Sequence, residues 1–256
     1  GNKIVFSNGK EIHFISVKNP EDIKWSEYDV EVVLEATGVF RTKELASKHL
    51  IGGAKKVVLS APSKDGEIKT LVLGVNDALL LDTDIIISNA SCTTNSAAPM
   101  VKVMKELCEI ESAFITTVHS YTSDQQLHDA PHKDLRRARA AAESIVPTTT
   151  GAAKALSKIF PELEGHIGGC GIRVPVPDGS MTDLTFVVKN PPTETQINKA
   201  MKTASEGSLK GVLAYTEDPI VSVDVIGEAN SCVFDALLTS VIGNMVKVVG
   251  WYDNEA

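Results

Sequence analysis

The stretch Ile85-Ile86-Ile87-Ser88-Asn89-Ala90-Ser91-Cys92-Thr93-Thr94-Asn95 passes from an unbroken apolar run to a helix start within eleven residues, and the reading of the fold turns on it. Continuous Ile character without alternation suits a strand covered on both faces. Beyond the turn, Met100, Val103, Met104 and Leu107 recur at helical spacing, which predicts a helix over 96–107. Cys92 therefore stands where a buried strand ends and a helix begins. Unpaired N–H groups and the positive end of the helix dipole favour a thiolate there.

Upstream, apolar runs at 30–36, 56–60, 71–75 and 84–88 read as strands, and 42–50 reads as a helix stopped by Gly52-Gly53. Strand, helix and strand in this order predict parallel pairing with a right-handed crossover. Residues 3–17 alternate around Asn8-Gly9, a hairpin signal. Downstream, longer alternating runs at 113–121, 182–189, 221–226 and 244–252 predict a largely antiparallel sheet, with helices over 135–144, 151–159 and 195–206. The expected fold is α/β: a doubly wound parallel sheet over 1–91, then an α+β domain with a largely antiparallel sheet over 92–256.

Among the 256 residues, 43% are hydrophobic and 23% are charged, enough for substantial cores and typical of a soluble chain. No apolar run approaches the ~18 residues that cross a bilayer. A formal net charge of −8 disfavours broad binding to nucleic acid or anionic membranes, so an anionic ligand must be held locally. Cys92, Cys108, Cys170 and Cys232 are widely separated, which fits free thiols in a reducing cytoplasm.

Of the four cysteines, only Cys92 has the position of a nucleophile; the others read as small buried hydrophobes. His119 ends a predicted strand, where a neutral imidazole can face a cleft and take a thiol proton. The spacing of the remaining histidines offers no metal site. Thr148-Thr149-Thr150-Gly151 opens a helix with hydroxyls and small residues, either an anion site or an ordinary cap. Arg173, a charge in an apolar strand-like segment, requires a phosphate or a carboxylate partner.

The segments Ser-Asn-Ala-Ser-Cys-Thr-Thr-Asn at 88–95, Thr-Thr-Val-His-Ser-Tyr-Thr at 116–122, Asp-Leu-Arg-Arg-Ala-Arg-Ala-Ala-Ala at 134–142, Pro-Thr-Thr-Thr-Gly-Ala-Ala-Lys-Ala at 147–155 and Trp-Tyr-Asp-Asn-Glu at 251–255 resemble the phosphorylating glyceraldehyde-3-phosphate dehydrogenases. The resemblance implies the remainder of a Rossmann-type domain over 1–91 and a catalytic domain over 92–256, with Cys92 as nucleophile and His119 as base. It implies Ser91, Thr93, Thr150 and Gly151 around an attacking phosphate, Thr122 and Arg173 on the substrate phosphate, and Arg137 as a further anion contact. Beside the cofactor it places Thr37, Gly38, Ser60 and Asn254, with NAD expected and NADP left open.

The implied reaction converts glyceraldehyde 3-phosphate, with inorganic phosphate, into 1,3-bisphosphoglycerate in the cytoplasm, carried out by a homotetramer. The resemblance also places part of a long loop over 168–180. The family's opening strand, glycine-rich turn and first helix have no counterpart here, and neither does its closing helix, so a chain truncated at both ends is expected. The alternatives are an erythrose-4-phosphate dehydrogenase of the same superfamily and a truncated, non-catalytic interaction module.

Overall fold

A computed structural model describes residues 2–256. The chain forms two compact units: residues up to Lys69 with Leu80–Asn89, and Thr70–Leu79 with Ala90–Ala256.

In the first unit, β1 (Lys3–Val5) and β2 (Glu11–His13) pair antiparallel around a turn in which Gly9 takes φ +82°. Then follow β3 (Val32–Glu35), α1 (Lys43–Ala46), α2 (Lys48–Ile51), β4 (Lys56–Leu59), the two-residue β5 (Lys69–Thr70) and β6 (Ile86–Ser88). β3, β4 and β6 lie side by side and parallel, as the strand-helix-strand pattern predicts. Thr42 caps α1 by accepting the Leu45 N–H at 3.3 Å. Ala46, Val57, Leu59, Ile68 and Ile86 form this unit's core. On β3, Val33 and Glu35 are buried, whereas Val32 and Leu34 are 54% and 65% exposed.

The strand predicted over 71–75 does not form. Asn76 accepts the Val72 N–H at 2.7 Å and donates to the Thr70 carbonyl at 3.0 Å, while Gly74 takes φ +74°. Side-chain bonding to the local backbone wins over strand propensity and makes a turn. That turn packs into the second unit, where Val72 is fully buried.

The second unit holds α3 (Cys92–Leu107), β7 (Glu109–Ser120), β8 (Val146–Thr148), α4 (Ala152–Ile159), β9 (Ile167–Val174), β10 (Ser180–Lys189), α5 (Glu194–Glu206), β11 (Leu213–Thr216), β12 (Cys232–Asp235), β13 (Ser240–Ile242) and β14 (Met245–Tyr252). The sheet runs β11-β12-β14-β10-β7-β9-β8, with β13 added beside β14. Its pairs are antiparallel apart from β7 with β9 and β11 with β12. Strand alternation sends Leu184, Phe186 and Val188 into one core with Ala97, Met100, Val101 and Met104 of α3. α3 is thus the central helix of the unit, and the predicted start at 96 moves back to Cys92.

Three further expectations are corrected. Residues 221–226 form a 3₁₀ turn over Ser222–Val225, because Asp224 accepts the Val221 N–H at 2.8 Å. The helix predicted over 135–144 gives way to turns and a short 3₁₀ segment, Ala141–Glu143, since Asp134 accepts the N–H of Arg136 at 2.9 Å and Asp129 that of Ala140 at 2.8 Å. Within 168–180, the loop is largely strand β9, paired on both sides. Among the described residues, no helix is long and apolar enough to cross a membrane.

Candidate active site

Ala90, at φ 60°, turns the chain into α3, and Ser91 caps the helix by accepting the Thr94 N–H at 3.2 Å. Cys92 is the first helical residue. His119 is the penultimate residue of β7, and its Nε2 lies 3.4 Å from the Cys92 sulfur. The thiol and imidazole singled out in the sequence are therefore in contact. The other imidazole nitrogen, Nδ1, lies 2.8 Å from the Ser120 carbonyl oxygen.

Register between β7 and β9 pairs His119 with Arg173. Arg173 Nη1 comes 2.6 Å from His119 Nδ1 and donates to the Ser120 carbonyl at 2.9 Å. Its Nη2 lies 3.8 Å from Asp124. Asp124 also accepts from the Thr122 hydroxyl and from Arg137 Nη1. Arg137 Nε and Nη2 donate to the Thr148 hydroxyl at 2.9 and 2.7 Å. Thr122, Arg137 and Arg173 thus converge, with Asp124 between them. Sequence reading missed Asp124, because an acidic residue in a polar loop carries no periodic signal.

Tyr252 was also missed. Its hydroxyl lies 2.9 Å from those of both Thr93 and Thr117, and its ring stands edge-on to His119 with centroids 6.0 Å apart. Thr93 is consequently turned into the protein rather than towards an open anion site. Thr150 accepts the Ala152 N–H at 3.2 Å, and Gly151 is the N-cap residue of α4. Among the described residues, no hydrogen bond ties either of them to Cys92. Asn254 accepts from Ser120 Oγ at 2.9 Å and Ser180 Oγ at 2.6 Å, which links it to the end of β7.

Burial pushes the Cys92 thiol up, against the lowering expected from its helix start; hydrogen bonds from Thr93 and the Arg173 charge offset part of the rise. His119 is held down at about 4 by burial and by the Arg173 guanidinium. At neutral pH the pair is thus a thiol beside a neutral imidazole. That arrangement suits a general base that takes the proton as the sulfur attacks.

Residues 91–254 match the family model described as the glyceraldehyde 3-phosphate dehydrogenase C-terminal domain, and residues 1–43 match the NAD binding domain of the same family. The chain belongs to the glyceraldehyde-3-phosphate dehydrogenase family. It is 54% identical to glyceraldehyde-3-phosphate dehydrogenase 2 of Streptomyces avermitilis over 97% of this chain and 74% of that protein. It is 53% identical to glyceraldehyde-3-phosphate dehydrogenase of Geobacillus stearothermophilus over 100% of this chain and 76% of that protein.

For a family member, the placement of the candidate cofactor residues is informative. Thr37 and Gly38 follow the carboxyl end of β3, and Ser60 follows that of parallel β4. Open α/β sheets take nucleotides at such strand ends. Gly38 has φ +71°, and a Cβ built on it would meet nothing within 4 Å, so the turn is open to an approaching ligand. The residues present fit a dinucleotide.

Proposed function

We propose that the chain catalyses the NAD-dependent oxidation and phosphorylation of glyceraldehyde 3-phosphate to 1,3-bisphosphoglycerate, with Cys92 as nucleophile and His119 as base. The contact of 3.4 Å between Cys92 sulfur and His119 Nε2 carries the reading. For Nε2 to accept a proton, the imidazole must hold its own on Nδ1, which then donates to the Ser120 carbonyl. Arg173 competes for the same nitrogen, because a guanidinium can only donate. A substrate phosphate that recruits Arg173 removes that competition.

The Cys92 sulfur bonds to the aldehyde carbon while its proton passes to His119, which hands it on to the carbonyl oxygen, giving a hemithioacetal and restoring the neutral imidazole. The hydroxyl proton of this adduct goes to His119 as the carbon loses hydride, leaving a thioester. NAD, when bound, supplies the hydride acceptor. An oxygen of inorganic phosphate then attacks the thioester carbon, the C–S bond breaks, and the leaving sulfur takes back the proton held on His119, which regenerates thiol and neutral imidazole.

Thr122, Arg137 and Arg173 are read as holding the substrate phosphate, while Ser91, Thr150 and Gly151, without the inward-turned Thr93, are read as lining the attacking phosphate. Thr37, Gly38, Ser60 and Asn254 are read as cofactor contacts. The division into a partial dinucleotide-binding domain at 1–91 and a catalytic domain at 92–256 belongs to the same reading, supported by the separate compactness of the two units. So do a cytoplasmic location, in keeping with four free cysteines, and a homotetramer, which the family resemblance implies.

Mass spectrometry after mixing with substrate and NAD tests the central claim. An acyl adduct is expected on Cys92, lost in Cys92→Ser, with His119→Asn slowing turnover by ~10²–10⁴-fold. Normal turnover in Cys92→Ser would overturn the assignment.

A further inference from the structure

Glu35, the last residue of β3, is a carboxylate only 3% exposed, and no step of the chemistry above uses it. Its Oε1 accepts from the Thr37 N–H at 2.8 Å and from the Thr37 hydroxyl. Its Oε2 lies 2.9 Å from Nε2 of His49, which is 5% exposed. Its main-chain oxygen accepts from the Ser60 N–H at 3.1 Å and the Ser60 hydroxyl at 3.3 Å. One residue therefore fixes both strand-end positions assigned to the cofactor, Thr37 through its side chain and Ser60 through its backbone.

Burying a carboxylate is costly unless every oxygen is paired, and a well-packed apolar pair of similar volume is often at least as stable. Fold stability alone does not call for an acid here. His49 reinforces the point. Its Nε2 faces the carboxylate and so carries the proton, while Nδ1 is buried with no partner and the ring lies 5.9 Å from Trp25 and 6.1 Å from Phe40, between centroids. An aromatic clamp thus orients His49, and His49 orients the carboxylate.

We infer that the buried Glu35–His49 pair is a positioning device for the dinucleotide: it holds the Thr37–Gly38 turn and Ser60 in the conformation that receives the cofactor. The inference rests on the cofactor reading above. Both oxygens of Glu35 must accept at once, one from Thr37 and one from His49. A carboxylate does this, whereas an amide presents only one acceptor.

The test uses Glu35→Gln, which keeps volume but not the second acceptor, with Thr37→Val and the double variant. NAD affinity is measured by calorimetry, and amide exchange over residues 36–39 by mass spectrometry without NAD. The expected result for Glu35→Gln is about tenfold weaker NAD binding, the scale set by loss of a charge-assisted bond, together with faster exchange. The double variant should bind no more weakly than Glu35→Gln alone, and alkylation of Cys92 should be unchanged in all three. Independent, multiplying effects of the two substitutions would overturn the inference, as would a folded Glu35→Gln protein with parental exchange and affinity.

Faster exchange with NAD affinity unchanged in both single variants would instead sink the cofactor assignment of the turn. Should Glu35→Gln not fold, His49→Gln leaves the carboxylate in place and carries the same two measurements. Parental values there overturn the inference.

Discussion

Burial lifts the Cys92 thiol, and the helix start beneath it lowers it only in part. The dipole of α3 acts over a single turn, whereas desolvation penalises the full charge of a thiolate. Iodoacetamide alkylation of Cys92 in the unliganded protein should therefore keep accelerating as the pH passes the ordinary thiol value of 9.0. A rate already level by pH 7 would show that the helix start and His119 together outweigh burial. The two residues in contact, Cys92 and His119, were both singled out in the sequence, one at a helix start and one at a strand end. The sign of the thiol's shift was not, because desolvation depends on what packs above the residue.

At the scale of elements, β9 fits beside β7 through a glycine. A Cβ at Gly169 in β9 would lie 2.4 Å from Ile115 Cγ2 and 2.9 Å from the Ile115 carbonyl, with Ala153 of α4 at 3.4 Å. Gly169→Ala should crowd β9 against Ile115 of β7, at a cost of ~1–3 kcal/mol typical of overpacking. Denaturant unfolding would show it; full stability would mean that the sheet absorbs the methyl group. By contrast, Thr193→Ala removes the capping box of α5 and should cost about 1 kcal/mol without altering turnover. The cap joins Thr193 to Gln196 within one turn, since capping is local. Residues 135–144 misled because alanine and arginine favour helix intrinsically, whereas Asp129 and Asp134 capture the backbone N–H groups and Arg137 turns to Thr148.

Across the whole molecule, His119 links the site to acid stability. Its pKa falls from 6.5 unfolded to about 4 folded, so the unfolded chain binds the extra proton first as the pH drops. Stability contributed by neutral His119 is complete above pH 6.5 and is lost progressively towards pH 4. His119→Asn should flatten that part of the stability profile in thermal melts; an unchanged acid limb would assign the loss to other groups. The sequence by itself determined the hairpin, the parallel strands, the antiparallel second half and the start of α5, and it singled out Cys92 and His119 as candidate nucleophile and base. Each of these is written in periodicity, capping and turn chemistry within a few residues. Only the tertiary structure decided that Cys92 meets His119 across 27 positions, that Arg173 competes for His119 across 54, and that Tyr252 closes on Thr93 across 159. Those contacts follow from strand register and from which faces pack together, and no local pattern encodes either.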